Sequence, residues 1–203
     1  MSGFWRREDG NVAIEGLLGG VLLLGWFMAA YEFYDAFRIK ARISSASYTM
    51  ADLVSRQKAA IGPTYIDGTK RLFDQFVGIR ATDRSWLRIT LISCPATPED
   101  MQSCDGVSKP MRLDQSHATG GHVALTQETL DARAHRIPMM AAGDSAVVLE
   151  TVYTYLPVFG IGDRDLSLGG SVPIAAGLTS RLTFHEFIVT RPRGPRTVWN
   201  ADH

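Results

Sequence analysis

The sequence has no excess of either charge. Its 203 residues carry 21 Lys plus Arg and 21 Asp plus Glu, a balance that argues against a nucleic acid or another polyanion as partner. Cysteine is scarce. Cys94 and Cys104 are the whole supply, and two thiolates without a nearby histidine pair do not complete a zinc shell. No serine sits in a G-x-S-x-G turn, and no glycine run carries the P-loop lysine. The stretch "GIGDRDLSLGG" offers Asp163 and Asp165 but lacks calcium-loop spacing, and it reads as a long polar loop. His117, His122 and His135 fall in loop-like or helix-like sequence and His185 in a strand pattern; His117 and His122, five apart in a Gly-containing loop, read as solvated loop histidines in preference to a metal site. There is no internal repeat and no low-complexity stretch. These absences leave no catalytic residue, cofactor or metal site to expect.

Charge is also missing from one long run. Between Val12 and Tyr31 the only charged residue is Glu15. About twenty helical residues rise about 30 Å, the thickness of a hydrocarbon core. A carboxylate inside such a segment carries a penalty of roughly 3 kcal/mol at mid-depth, so Glu15 needs an explanation. A cleaved secretory signal would need a shorter core and a small-residue cleavage site, and "FMAAY" lacks that pattern. A plain single-pass anchor accounts for more. Trp26, Phe27, Tyr31, Phe33, Tyr34 and Phe37 would form an interfacial belt, and Gly16 and Gly20 form a G-x-x-x-G pair that lets another helix approach closely. That reading still leaves Glu15 alone.

A third reading gives it a partner. The leader "MSGFWRREDG" is short and charged and ends in Gly10. Cleavage after Gly10 would make Asn11 the first residue and Glu15 the fifth of the mature chain. This resembles the start of type IV pilins and pseudopilins: a charged leader, a glycine, a carboxylate at mature position five, then an apolar helix. The resemblance implies a prepilin peptidase acting between Gly10 and Asn11, and Glu15 facing the new α-amino group of a neighbouring subunit. Opposite charges about 4 Å apart attract by roughly 4 kcal/mol at an effective dielectric of 20, enough to offset the insertion penalty. The chain departs from the family in having Asn11 where many pilins begin with Phe, and Gly16 where the Flp branch usually has an aromatic.

Beyond the run, the composition is that of a soluble domain. The stretch from Tyr31 to Pro63 has no proline or glycine before Gly62, and Phe33, Phe37, Ile39, Ile43, Met50 and Leu53 recur at roughly helical spacing. A helix from Asn11 to Ala60 is expected, with "SSAS" as a weak point and Gly62–Pro63 as its stop. "GTKRLFDQFVGI" reads as a short amphipathic helix with Leu72, Phe73, Phe76 and Val77 on one face. "SWLRITLIS" reads as a half-buried strand with Leu87, Ile89 and Leu91 inward. "GGHVAL" reads as a further strand, "QETLDARAHRIPMMAAG" as helical turns broken by Pro138, and "SAVVLETVYTYLP" and "RLTFHEFIVT" as strands. The basic tail "RPRGPR" reads as solvated. The sum is an α+β fold: a long N-terminal transmembrane helix, then a small domain with an antiparallel sheet. The expected segments are a leader over 1–10, a transmembrane and stalk helix over 11–60, and a periplasmic domain over 61–203.

Cys94 and Cys104 bracket the turn-rich "CPATPEDMQSC". Either they are two free thiols or they form a disulfide, contributing about 2–3 kcal/mol and placing the domain in an oxidising compartment. Charge alone slightly favours the opposite orientation, since Arg38, Lys40 and Arg42 follow the run while Arg6 and Arg7 precede it. The cysteine pair and the pilin resemblance together favour a cytoplasmic N-terminus at the bacterial inner membrane and a periplasmic C-terminal domain.

The order of the later elements sharpens the resemblance. "IPMMAAGDSAVVLETVYTYLPVFG" and "FHEFIVTRPRGPRTVW" are similar to the C-terminal half of TadE-like or TadF-like minor pseudopilins from tight-adherence (Flp pilus) systems. The resemblance implies a non-enzymatic subunit. Its partners would be other pilin subunits, the prepilin peptidase, the pilus assembly platform and the lipid bilayer, with no nucleic acid. Two other readings stay open: a signal-anchored periplasmic binding or enzymatic domain, and an envelope scaffold with an uncleaved helix.

Overall fold

A computed structural model describes residues 9–78, 84–159 and 182–202. The leader up to residue 8, with Arg6 and Arg7, lies outside the described residues, as does the loop bearing Asp163 and Asp165. The elements run α1 (Asp9–Ser55), α2 (Pro63–Val77), β1 (Ser85–Ser93), β2 (Arg112–Ala118), α3 (Gln127–Asp131), β3 (Ser145–Thr154) and β4 (Thr183–Thr190). The chain divides into two compact units. One holds residues 1–38 and 156–182, the other residues 39–155 and 183–203. The architecture is α+β, a long apolar N-terminal helix and a small domain with a four-stranded antiparallel sheet.

In the larger unit the strand order is β2-β1-β3-β4, and every pairing is antiparallel. β1 is buried along nearly its whole length on both faces, not on one as its alternation suggests. One face, carrying Leu87, Ile89, Leu91, Val147 and Leu149, meets helical residues. Ser47 of α1 shares a 2.7 Å hydrogen bond with Thr151 of β3, and Asp74 of α2 accepts from Ser85 of β1 at 2.6 Å. The other face packs Ile92, Ala146 and Val148 against Cys94, Cys104, Met111, Leu125, Leu130, Ile137 and Met140. The segments between the strands therefore supply a second cover, and Arg88 and Thr90, which alternation assigns to solvent, are buried beneath it.

The buried stripe of α1 in this unit is Ile43, Ala46, Ser47, Met50, Ala51, Val54 and Ser55. Ile43 and Met50 face inward as their spacing predicts, while Leu53 stays exposed. The stripe is mostly small side chains, which lets the helix backbone approach closely. "SSAS" does not weaken the helix, because two of its hydroxyls bond outside it. Ser47 reaches Thr151, and Ser44 donates to Glu186. α1 ends at Ser55, short of Ala60. The Ser55 carbonyl accepts the Arg193 N–H at 2.7 Å, and Ile61 forms a parallel bridge with the C-terminal segment that requires extended backbone.

Gly62–Pro63 is a start instead of a stop. Gly62 is the N-cap of α2 and Pro63 its first residue, a position where the missing N–H costs nothing. The inward face of α2 carries Ile66, Phe73 and Val77, with Phe76 exposed. β2 lies earlier than "GGHVAL". Gly120 and Gly121 both take positive φ and turn the chain there. As an edge strand, "RLDQSHA" has no apolar alternation to reveal it. The turns before Pro138 are α3 and a 3-10 turn at Ala134–Arg136. The basic tail is not merely solvated. Arg191 pairs with Asp144 at 3.2 Å, Arg193 with Asp52 at 2.8 Å, and Arg196 with Asp114, fastening the C-terminal segment in three places.

Candidate functional site: an exposed apolar helix

The smaller unit contains the apolar run. α1 includes an 18-residue window of mean hydropathy 1.9, none of it buried, and it is long and apolar enough to cross a membrane as a single-pass anchor. Its Val, Ile and Leu side chains from Val12 to Leu24 are 59–74 % exposed. In water such a surface is strongly unfavourable, at about 25 cal/mol per Å² of apolar area. The aromatic residues Trp26, Phe27, Tyr31, Phe33, Tyr34 and Phe37 are exposed as well.

Gly10 and Asn11 stand in the first turn of α1, where backbone N–H groups have no partner within the helix. Glu15 is exposed one turn further on, in an i, i+4 relation to Asn11. It makes no hydrogen bond or ion pair among the described residues. Gly16 and Gly20 share one helix face. A Cβ built at either meets nothing within 4 Å, so both present open backbone. The helix thus carries Glu15, Gly16 and Gly20 on consecutive exposed turns, with Asn11 one turn before Glu15.

Cys94 and Cys104 form a disulfide, with sulfurs 2.08 Å and Cα atoms 5.6 Å apart, buried in the core. Asp105 orders the adjoining loop. Its carboxylate accepts the backbone N–H groups of Val107, Ser108 and Lys109 at 2.8–3.1 Å, which holds its pKa down from 3.8 to about 2. Asp100 is also held below the ordinary carboxylate range, chiefly by Lys109, whose ammonium lies 2.8 Å away. The histidines are dispersed. The His122 ring stacks on Trp86 at 4.7 Å, His117 of β2 lies 6.2 Å from Trp199, and no three metal-ligating side chains converge among the described residues.

Sequence reasoning missed two buried acidic sites. In the smaller unit Glu32 is 1 % exposed. Its carboxylate accepts the Phe159 N–H at 3.0 Å, and the Phe159 ring lies edge-on to Tyr31 at 5.9 Å. Asp35 is buried beside it and pairs with Arg38 at 2.8 Å. In the larger unit Glu150 of β3 is held by two arginines. Arg88 reaches one oxygen at 2.6 Å and Arg133 the other, also at 2.6 Å. The signal for this second site was present: two apolar strands each carry one charge, of opposite sign, and antiparallel register sets Arg88 directly against Glu150.

No family model, curated protein or solved structure matches the chain.

Proposed function

We propose that the chain is a membrane-anchored minor pseudopilin of a tight-adherence, Flp-type pilus, processed between Gly10 and Asn11 by a prepilin peptidase. One observation carries this reading. Glu15 stands on the exposed apolar run of α1, one turn after Asn11, with no partner among the described residues. A lone carboxylate at that depth opposes insertion. The α-amino group released at Asn11 of a neighbouring subunit supplies a compensating charge, and Gly16 and Gly20 permit the close helix approach that brings it there. The exposed aromatic residues suit the membrane interface.

The Cys94–Cys104 disulfide supports an oxidising compartment for the larger unit, and on this reading that unit is periplasmic and the N-terminus cytoplasmic. Its partners are other pilin subunits, the peptidase and the assembly platform, and its role is in fibre assembly without catalysis. The test is Glu15→Gln, which keeps shape and removes charge. We expect loss of subunit association and of pilus assembly with membrane insertion retained. Assembly at the wild-type level in Glu15→Gln cells refutes the pairing.

A further inference from the structure

On the sheet face away from α1, two cross-strand rows lie side by side. Trp86, Val152 and His185 form one, and Arg88, Glu150 and Phe187 the other. Arg133 and Arg136 approach from the segment after α3, and together these groups enclose a cleft of about 210 Å³. Its charge is unbalanced. Glu150 already has Arg88 on one oxygen and Arg133 on the other. The carboxylate of Glu186 is taken up elsewhere, by the Ser44 hydroxyl of α1. Arg136 lies over the Phe187 ring at 4.2 Å and has no carboxylate partner among the described residues. Three guanidinium groups thus line the cleft with two carboxylates, Glu150 and the Ser44-bound Glu186, between the aromatic faces of Phe187 and Trp86, with Arg88 stacked on the latter at 5.3 Å.

We infer that this cleft binds a carboxylate joined to a small apolar body, with Arg136 as its principal cationic contact. The planar guanidinium fork matches a carboxylate in two-point contact. The flanking rings of Phe187 and Trp86 hold the Arg136 and Arg88 guanidinium groups in place and offer apolar surface to a group behind the charge. The volume is below that of sites for drug-sized ligands and suits a group of side-chain size. A free carboxylic acid and the C-terminal end of a polypeptide both present this chemistry. The inference does not depend on the pilus assignment.

The test is calorimetric titration of the full chain in detergent micelles with N-acetylphenylalanine, with its amide, with inorganic phosphate, and with a pentapeptide ending in a free phenylalanine carboxylate. We expect the acid to bind at least about tenfold more tightly than the amide, the loss of one charge-assisted hydrogen bond. Arg136→Gln should abolish that preference without moving the thermal melt, because Arg136 is exposed. Tighter binding of the peptide than of the free acid assigns the site to a chain terminus, and equal binding assigns it to a small acid. The inference is overturned if acid and amide bind alike, if neither binds, if phosphate matches the acid, or if a folded Arg136→Gln protein keeps the preference.

Discussion

Within one helix, apolar side chains meet opposite fates. Leu17, Leu18, Val21 and Leu22 are more than half exposed, while Ile43, Met50 and Val54 are fully buried. The acids show the same contrast. Glu15 stands on an apolar surface without a partner among the described residues, while Glu150 lies buried with a guanidinium on each oxygen. The larger unit satisfies its buried charge with its own residues. The N-terminal part of α1 leaves both its apolar surface and its acid without such cover among the described residues, and it is long and apolar enough to cross a membrane.

The strongest way to break this contrast is to make the exposed run polar. Leu18→Arg with Leu22→Arg adds about 5–7 kcal/mol to insertion at mid-depth. The double variant should leave the alkali-resistant membrane fraction completely, and its retention there would show that the run does not span. Next comes the buried charge. Arg88→Met leaves Glu150 with only the half-exposed Arg133, and a broken buried pair costs about 3–5 kcal/mol. Chemical denaturation should show a loss of that order, whereas Glu15→Gln should leave the denaturation midpoint unmoved.

How much of this was legible in the sequence follows from where each signal comes from. The long apolar run, the V-rich β3 and the disulfide partners were all readable, because each is a local pattern of composition or spacing. β2 was not, since "RLDQSHA" at a sheet edge carries none of the alternation that burial imposes. The end of α1 at Ser55 and the start of α2 at Pro63 depend on the C-terminal segment, where Arg193 and Val198 bond back to Ser55 and Ile61. No local rule reports contacts that far along the chain. Glu15 stands out at a charged-to-apolar boundary, while Gly10 and Asn11 take a role only from the pilin resemblance. The Arg88–Glu150 pair becomes visible only once β1 and β3 are set in register.

Smaller effects sharpen the description of the larger unit. Replacing Cys94 and Cys104 together by serine should lower its stability by about 2–3 kcal/mol on the loop-closure model. The check is denaturation of the double variant beside the oxidised wild type. The smallest effect concerns Asp105, whose folded-state pKa is depressed. Its contribution is complete above about 3.8 and disappears as the pH falls toward 2. The protection factors for amide exchange at residues 107–109, taken against the intrinsic rate at each pH, should therefore fall across that window in the wild type and stay level in Asp105→Asn, which carries no titrating group there.

The most direct test of the central claim is the intact mass and N-terminal sequence of the protein extracted from native membranes. Processing predicts a mature chain that begins at Asn11, with Gly10→Leu accumulating at full length. A wild-type membrane protein that still begins at Met1 or Ser2 contradicts it, because no new amine then exists to meet Glu15.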